Sequence, residues 1–575
     1  MKMNIKKIGL LLGLGALAIC QSCTDLEPEI YSKVDADSFN KDPNMYESKL
    51  GDVYVNLQRE YGYVYREGFW SMQENTTDEC FVPTRYAGDW KDDGAFWKLR
   101  KHEFTSKLRE LSQNGQNGNN AWQFLSRGIA KCNDMLAWMD GVGASEFSDK
   151  DYAELYILRA WYHYLMMDTF GNIPFMTKVG DASPVQLTRA AVCDSIMNDL
   201  LEYVPVASTE KIYSRVNKYV GYMTLAKMYL NAEAWGVVGK SKAFPDAKTC
   251  YQKAAEYADK VISEGGYSLE GDYFDNFKVD NQGSNENIWC VFYDKNYSKG
   301  MQFHMMSLHY ASKESYGLKN EPWNGYCTSH KVIALYGEGD KRIDSWARGQ
   351  QVDKQGNNIT VKVPIDSATY MNMPSKVVLP AEYPASLAEV LATPTKTIDV
   401  EMPAYFTDEL TTFENTEDTK IYNIFQGARF VKFRVEEGVG DHMSNDFPIF
   451  RLADAYLMKA EALMRANGGN ATQEAVDAAN EVRERAGATL YNTSTLTLDE
   501  MSNERVRELC WEGFRRQDMI RFGRFTGPKS VAQDGDPANL WVFRNEVSPA
   551  YKNIFPLPDF ILSNYGYPQN EGYTE

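Results

Sequence analysis

The stretch from Asp446 to Gly487 limits what this 575-residue chain can fold into, because it reads as a helical hairpin. Ile449, Ala453, Tyr456, Ala460 and Leu463 recur at steps of three and four, which places them on one face of a helix. Glu461 and Arg465 stand one turn apart and are expected to pair on the solvent side. Asn467-Gly468-Gly469-Asn470 then breaks the helix, since glycine supplies the backbone angles of a tight reversal. A second helix follows with a narrow stripe of small residues, Ala475, Ala479, Val482 and Ala486, which allows two helices to approach closely.

From Leu452 to Ala486 the unit is 35 residues, close to the length of a tetratricopeptide (TPR) repeat. It echoes an earlier segment. Leu225-Ala226-Lys227-Met228-Tyr229-Leu230 matches Leu452-Ala453-Asp454-Ala455-Tyr456-Leu457, and an alanine-rich helix with Ala254, Ala255 and Ala258 comes next. The copies are too few and too far apart for a regular solenoid. Helical pairs serving as a scaffold, in an all-α fold, are the expected architecture.

Residues 1–22 read as an address. Lys2, Lys6 and Lys7 precede an apolar run, Ile8 to Ile19, too short to span a membrane as a mature helix. With the Cys20-Gln21-Ser22-Cys23 end, the segment resembles a bacterial lipoprotein signal, which implies lipidation of Cys23. The acids in Thr24-Asp25-Leu26-Glu27 resemble the export tag that sends Bacteroidetes lipoproteins to the outer face of the outer membrane.

Loss of three signal lysines takes the formal charge from −18 to −21, which argues against a nucleic-acid partner. Seven cysteines remain (Cys80, Cys132, Cys193, Cys250, Cys290, Cys327, Cys510), odd in number and scattered, so neither a disulfide framework nor a zinc site is expected. The 43% apolar content is enough for a large core. Helical patterns fill 105–270 and 446–525 of a single domain spanning 23–575. The regions 61–104 and 271–445 do not read as helix, and six prolines between Pro364 and Pro403 rule out long helices there. Short alternating runs such as Phe430-Val431-Lys432-Phe433 predict minor strands. An irregular, loop-rich ligand-binding lobe is thus inserted in a helical frame, and loops on a rigid frame are where binding surfaces are usually built.

No H-E-x-x-H, G-x-S-x-G or P-loop is present, and the six histidines show no ligand spacing, so no metal, cofactor or catalytic set is expected. What the irregular regions carry is aromatic density. Trp70, Tyr86, Trp90, Phe96 and Trp97 are mixed with Arg85 and acids, and Tyr293, Tyr297, Tyr310, Tyr316, Trp323 and Tyr326 stand with Asn324. Flat rings beside hydrogen-bonding side chains suit sugars, whose C–H faces stack while their hydroxyls bond at the edges. Trp90, Tyr86, Arg85, Trp323 and Tyr326, then Tyr297 and Asn324, are the candidate ligand contacts. Tyr86, Trp90 and the Trp323-Asn324-Gly325-Tyr326 run are expected to be exposed.

Several blocks in order resemble the SusD/RagB family of outer-membrane nutrient-binding lipoproteins. They are Leu158 to Leu165 leading into Phe170-Gly171-Asn172-Ile173-Pro174, Phe450 to Ala462, Asn480 to Gly487, Glu504 to Asp518, Pro556-Leu557-Pro558 and Gln569 to Tyr573. Glu504 to Arg524 is expected to be one helix with Glu512–Arg516 and Asp518–Arg521 pairs. The resemblance implies an all-α fold with TPR-like helix pairs. It also implies a non-catalytic role, holding a glycan at the cell surface above a SusC-like, TonB-dependent transporter. Peptide uptake, as on the RagB side of the family, and a surface glycoside hydrolase are the alternatives.

Overall fold

In the computed structural model both hairpins form, and they pack on each other. The structure describes residues 41–59, 62–85, 95–108, 120–180, 184–365, 398–408, 410, 424–527, 540–542 and 547–574. Asn217 caps the helix Lys218–Asn231 through its side-chain oxygen, and Asp246 does the same for Ala247–Glu264. Leu452–Ala466 is followed by Gln473–Ala486, capped by Thr472 and closed by left-handed Gly487. The Ala247–Glu264 helix packs against both Lys218–Asn231 and Leu452–Ala466, with Ala254, Ala258, Ala453 and Ala460 fully buried. A 2.7 Å ion pair, Lys459 to Asp259, closes its rim.

A third pair, Ala121–Val142 with Asp149–Phe170, extends the frame, and Tyr46–Gln58 covers it. Ser148 and Asp151 form a reciprocal cap on the second of these helices. That helix is buried from Ile157 through Phe170 and ends at Gly171, whose φ of 71° turns the chain away.

Region 271–445 holds short antiparallel pairs in place of long elements. Trp346–Ala347 pairs with Arg429–Phe430, Gly349–Gln350 with Tyr405–Phe406, and Thr360–Ile365 with Ile398–Pro403. The strand expected over Phe430 to Phe433 is limited to Arg429–Phe430. One buried cluster runs from Leu50 to Ile561 and joins scaffold and lobe. A smaller one, including Ile359, Val363, Met402 and Phe406, lies under the Thr360–Ile365 hairpin.

Three local expectations are corrected. Ile449 is not helical: Phe447–Arg451 is a strand paired with Asn287–Val291, and the helix starts only at Leu452 because Arg451 is still extended. Glu461 is not on the solvent side. It is fully buried, because the later helix Arg515–Arg521 covers that face, and Arg521 bonds it at 2.6 and 2.7 Å in addition to Arg465 at 2.6 Å. Finally, Glu504 to Arg524 is two helices, Leu498–Leu509 and Arg515–Arg521. Trp511 (φ 59°) and Gly513 (φ 85°) break it, so Glu512 turns away from Arg516. Arg516 bonds Asp168 at 2.7 Å instead, whereas the Asp518–Arg521 pair forms at 2.8 Å.

Glu512 belongs to a buried ionic network that ties lobe to scaffold. Arg451 reaches Glu286 (2.6 Å), Glu508 (2.9 Å) and Glu512 (2.6 Å). Arg342, from the lobe, reaches Asp340 (2.8 Å), Glu504 (2.8 Å) and Glu508 (3.0 Å). Lys432, also from the lobe, bonds Glu512 at 2.5 Å. Burial alone would raise the Glu508 carboxyl, but Arg485, Arg451 and Arg342 outweigh it and hold it down at about 2. Removing one member leaves buried charge unpaired, so Glu508→Ala should lower stability by about 3–5 kcal/mol. Equilibrium urea denaturation checks this; an unchanged midpoint would mean that the network carries no stability.

Candidate functional site

The lobe surface is built on a connector. After the helix Tyr46–Gln58 the chain crosses through Gly62 to Arg66 and enters a short helix, Phe69–Glu74. Farther on, Phe81 and Cys327 exchange two backbone hydrogen bonds of 2.9 Å each, which brings 81–85 against 324–328.

Asn324 and Tyr326 are fully buried, which overturns their expected exposure, and Arg85, expected as a ligand contact, is fully buried too. The reason lies in the backbone. Asn324 adopts φ 53°, a conformation asparagine tolerates better than most residues. The reversal lets Trp323 N–H donate to Met305 (2.7 Å), Asn324 N–H to Leu308 (2.8 Å) and Tyr326 N–H to Met306 (2.8 Å). Arg85 then clamps the turn from beneath, donating to the carbonyls of Asn324 (3.1 Å), Gly325 (3.1 Å) and Gln426 (2.6 Å). Arg429 donates to Asn324 Oδ1 at 2.8 Å. The Tyr326 ring packs between Trp70 and Trp511, and its hydroxyl donates to the Arg66 carbonyl at 2.7 Å. Trp70, Phe96 and Tyr293 are core residues as well.

Two candidates reach the surface. Trp323 is half-buried, with the Arg66 guanidinium 5.0 Å from its ring centre. Tyr297 is 92% exposed. Its turn is rigid, because Asp294 accepts hydrogen bonds from Asn296 N–H (2.7 Å) and Tyr297 N–H (2.8 Å). Ser298 Oγ fastens that turn to the Gln58 carbonyl, at the end of the helix Tyr46–Gln58, at 3.1 Å. Tyr86, Trp90 and Cys23 lie outside the described residues.

Other ionisable groups are structural. No group of three or more His, Cys, Asp or Glu side chains suited to a metal is found among the described residues. Burial pushes His163 down to about 3 and His304 to about 4, as expected of neutral core histidines. The seven described cysteines are buried free thiols.

The sequence reading missed a pair of buried acids beneath the lobe. Glu74 accepts from Gly513 N–H at 2.7 Å and Glu79 from Trp511 N–H at 2.9 Å, the amides that the helix break sets free. The two carboxyls are neighbours in the core. Burial first, then the neighbouring Glu79, raises Glu74 well above the usual carboxyl range, and burial pushes Glu79 up to about 7. Only the acid-rich Glu74-Asn75-Thr76-Thr77-Asp78-Glu79 run, set among aromatic residues, hinted at it.

The matches to known proteins fit this architecture. A model of the SusD family covers residues 274–573, and a second, described as starch-binding associating with outer membrane, covers 33–230. The chain belongs to the SusD family. Among the relatives of this SusD-family chain is the starch-binding protein SusD of Bacteroides thetaiotaomicron, 26% identical over 88% of this chain and 86% of that one. SusD-like protein P25 of Formosa agariphila is 24% identical over 80% of each chain. A SusD homolog structure from B. thetaiotaomicron covers 94% of this chain and 99% of its own, with TM-score 0.65 and 19% identity. Surface glycan-binding protein A from the same organism, in complex with laminarihexaose, covers 92% and 99%, with TM-score 0.62 and 17% identity. The SusD fold is therefore shared well beyond sequence likeness.

Because the folded state raises these two carboxyl pKa values, the stability they contribute is full below the unfolded carboxyl value and falls as pH rises, for Glu79 through about 7. Glu74→Gln mimics the protonated acid and keeps the bond to Gly513. It should melt like the parent at pH 5 and at a higher temperature than the parent at pH 8. Parallel melting curves of parent and variant across that range would refute the raised Glu74 value.

Proposed function

We propose that this protein is a non-catalytic glycan-binding lipoprotein of the cell surface, which captures oligo- or polysaccharide and passes it to a SusC-like, TonB-dependent transporter. The observation that carries the reading is Tyr297: a large aromatic ring almost wholly in water, on a braced turn in a SusD-family chain that also brings Trp323 part-way to the surface. An exposed ring held rigid gives a flat face to a sugar at little entropic cost. Tyr86 and Trp90 remain proposed ligand contacts, while buried Arg85, Asn324 and Tyr326 hold the turn that carries Trp323. The printed descriptions of relatives point the same way, one being starch-binding and another bound to laminarihexaose. The acids of the signature blocks engage buried arginines and lysine, which suits a binder better than a hydrolase. Lipidation at Cys23 would anchor the chain at the outer membrane.

Native gels containing different polysaccharides, with reducing-sugar release assayed in parallel, test this. Retardation by one or two glycans without sugar release is expected; sugar release would mean a hydrolase, and retardation by none would favour peptides. Tyr297→Ala should weaken binding roughly tenfold at unchanged melting temperature, because the ring is exposed. Trp323→Ala should weaken binding at least as much and lower the melting temperature modestly, since half of that ring is buried. Unchanged binding in both variants would place the site elsewhere.

A further inference from the structure

Beneath the turn that carries Trp323, two buried guanidinium groups converge on one oxygen. The Gln426 carbonyl accepts from Arg85 at 2.6 Å and from Arg429 at 2.7 Å. Asn324 joins them, taking Arg85 on its carbonyl (3.1 Å) and Arg429 on Oδ1 (2.8 Å). The remaining hydrogen bonds of Arg429 go to the Gly427 and Ile424 carbonyls, each at 3.0 Å. Among the described residues, all its oxygen acceptors are therefore neutral. The Cys327 thiol beside it is a weak acceptor. Burial first, then Arg85, pull the Arg429 pKa well below the ordinary arginine value. A fully buried guanidinium without a counter-charge is costly, yet arginine keeps its proton in proteins.

Three donors here have no partner, each on a fully buried side chain: Arg429 Nε, Asn324 Nδ2 and His309 Nε2. The Asn324 amide is oriented by Arg429, which takes Oδ1 and leaves the nitrogen over. Burial, then Arg429 and Arg85, keep His309 neutral. Its Nδ1 accepts from Ala311 N–H at 3.1 Å, so its one ring proton sits on Nε2. The three side chains are neighbours. His309 and Arg429 lie 6.1 and 5.3 Å from the Phe406 ring, and Asn324 N–H donates to the carbonyl of Leu308, next to His309. Phe406, Ile424 and Phe425 make the surroundings apolar. A water would satisfy two of these donors and leave the charge unmatched.

We infer that a small monoanion of the halide class is bound among Arg429, Asn324 and His309, as counter-charge to the buried arginines. It fastens the Trp323 turn from beneath, and the inference stands whether or not the surface above binds a glycan.

The test follows thermal melting of the full-length protein in detergent as sodium chloride or bromide replaces sodium gluconate at constant ionic strength. The parent should rise by roughly 2 °C and then saturate. Asn324→Asp builds a carboxylate into the site in a backbone conformation that aspartate also tolerates, and should lose the response to halide. If that variant folds poorly, His309→Phe serves instead. It removes one donor, so about tenfold more halide should be needed for the same rise. Crystals of the parent grown in bromide should show an anomalous peak beside Arg429, Asn324 and His309. Parent melting that ignores halide overturns the inference, as does an equal halide response in both variants. So does a water or a carboxylate of this chain found in that position.

Discussion

The structure depends on a set of arginines and glutamates placed where water cannot reach them. Glu286, Glu504, Glu508 and Glu512 are each at most 1% exposed, and three of them lie four residues apart in the stretch from Glu504 to Glu512. Isolated in a protein interior, any of these charges would be prohibitive. Together they are satisfied by Arg451, Arg485, Arg483, Arg342 and Lys432, which come from distant parts of the chain. Such a network fixes one arrangement more strictly than an apolar core, because every slip strands a charge. It accounts for the way an irregular lobe with few hydrogen-bonded strands remains attached to the helical frame in one orientation.

The same network shows where reasoning from sequence reaches its limit. The hairpins and their alanine stripes were legible because helical spacing is local, and the two L-A-x-x-Y-L segments do pack through neighbouring helices. Charge pairs at helical spacing were legible only in form. Glu461 and Arg465 pair as their spacing suggests, but in the core, since the helix that buries them arrives some 50 residues later in the chain. The break at Trp511 was hidden because tryptophan rarely takes a positive φ. What makes it tolerable is two acceptors more than 430 residues upstream, Glu74 and Glu79.

The binding surface was legible in composition and not in detail. Aromatic residues gathered in the regions that resist long helices, where the described elements are short. Which rings face water followed from backbone turns that no periodicity marks. Asn324 and Tyr326 are drawn inward by hydrogen bonds to the 305–308 backbone, whereas an aspartate two to three residues ahead holds Tyr297 outward. Identical residue types thus divide into frame and platform according to the local geometry of one loop.

The hairpin Thr360–Ile365 with Ile398–Pro403 has a consequence for how such lobes diversify. Ile365 and Ile398 stand directly opposite each other at the end of the paired strands. The apolar residues beneath form their own small cluster, apart from the main core. Because loop-closure entropy grows slowly, doubling the length of a flexible connection between two such paired ends costs only about 0.6 kcal/mol. Insertions and deletions at this position are therefore nearly neutral for the scaffold, and selection can rework the lobe here without retuning the buried charges that hold it in place.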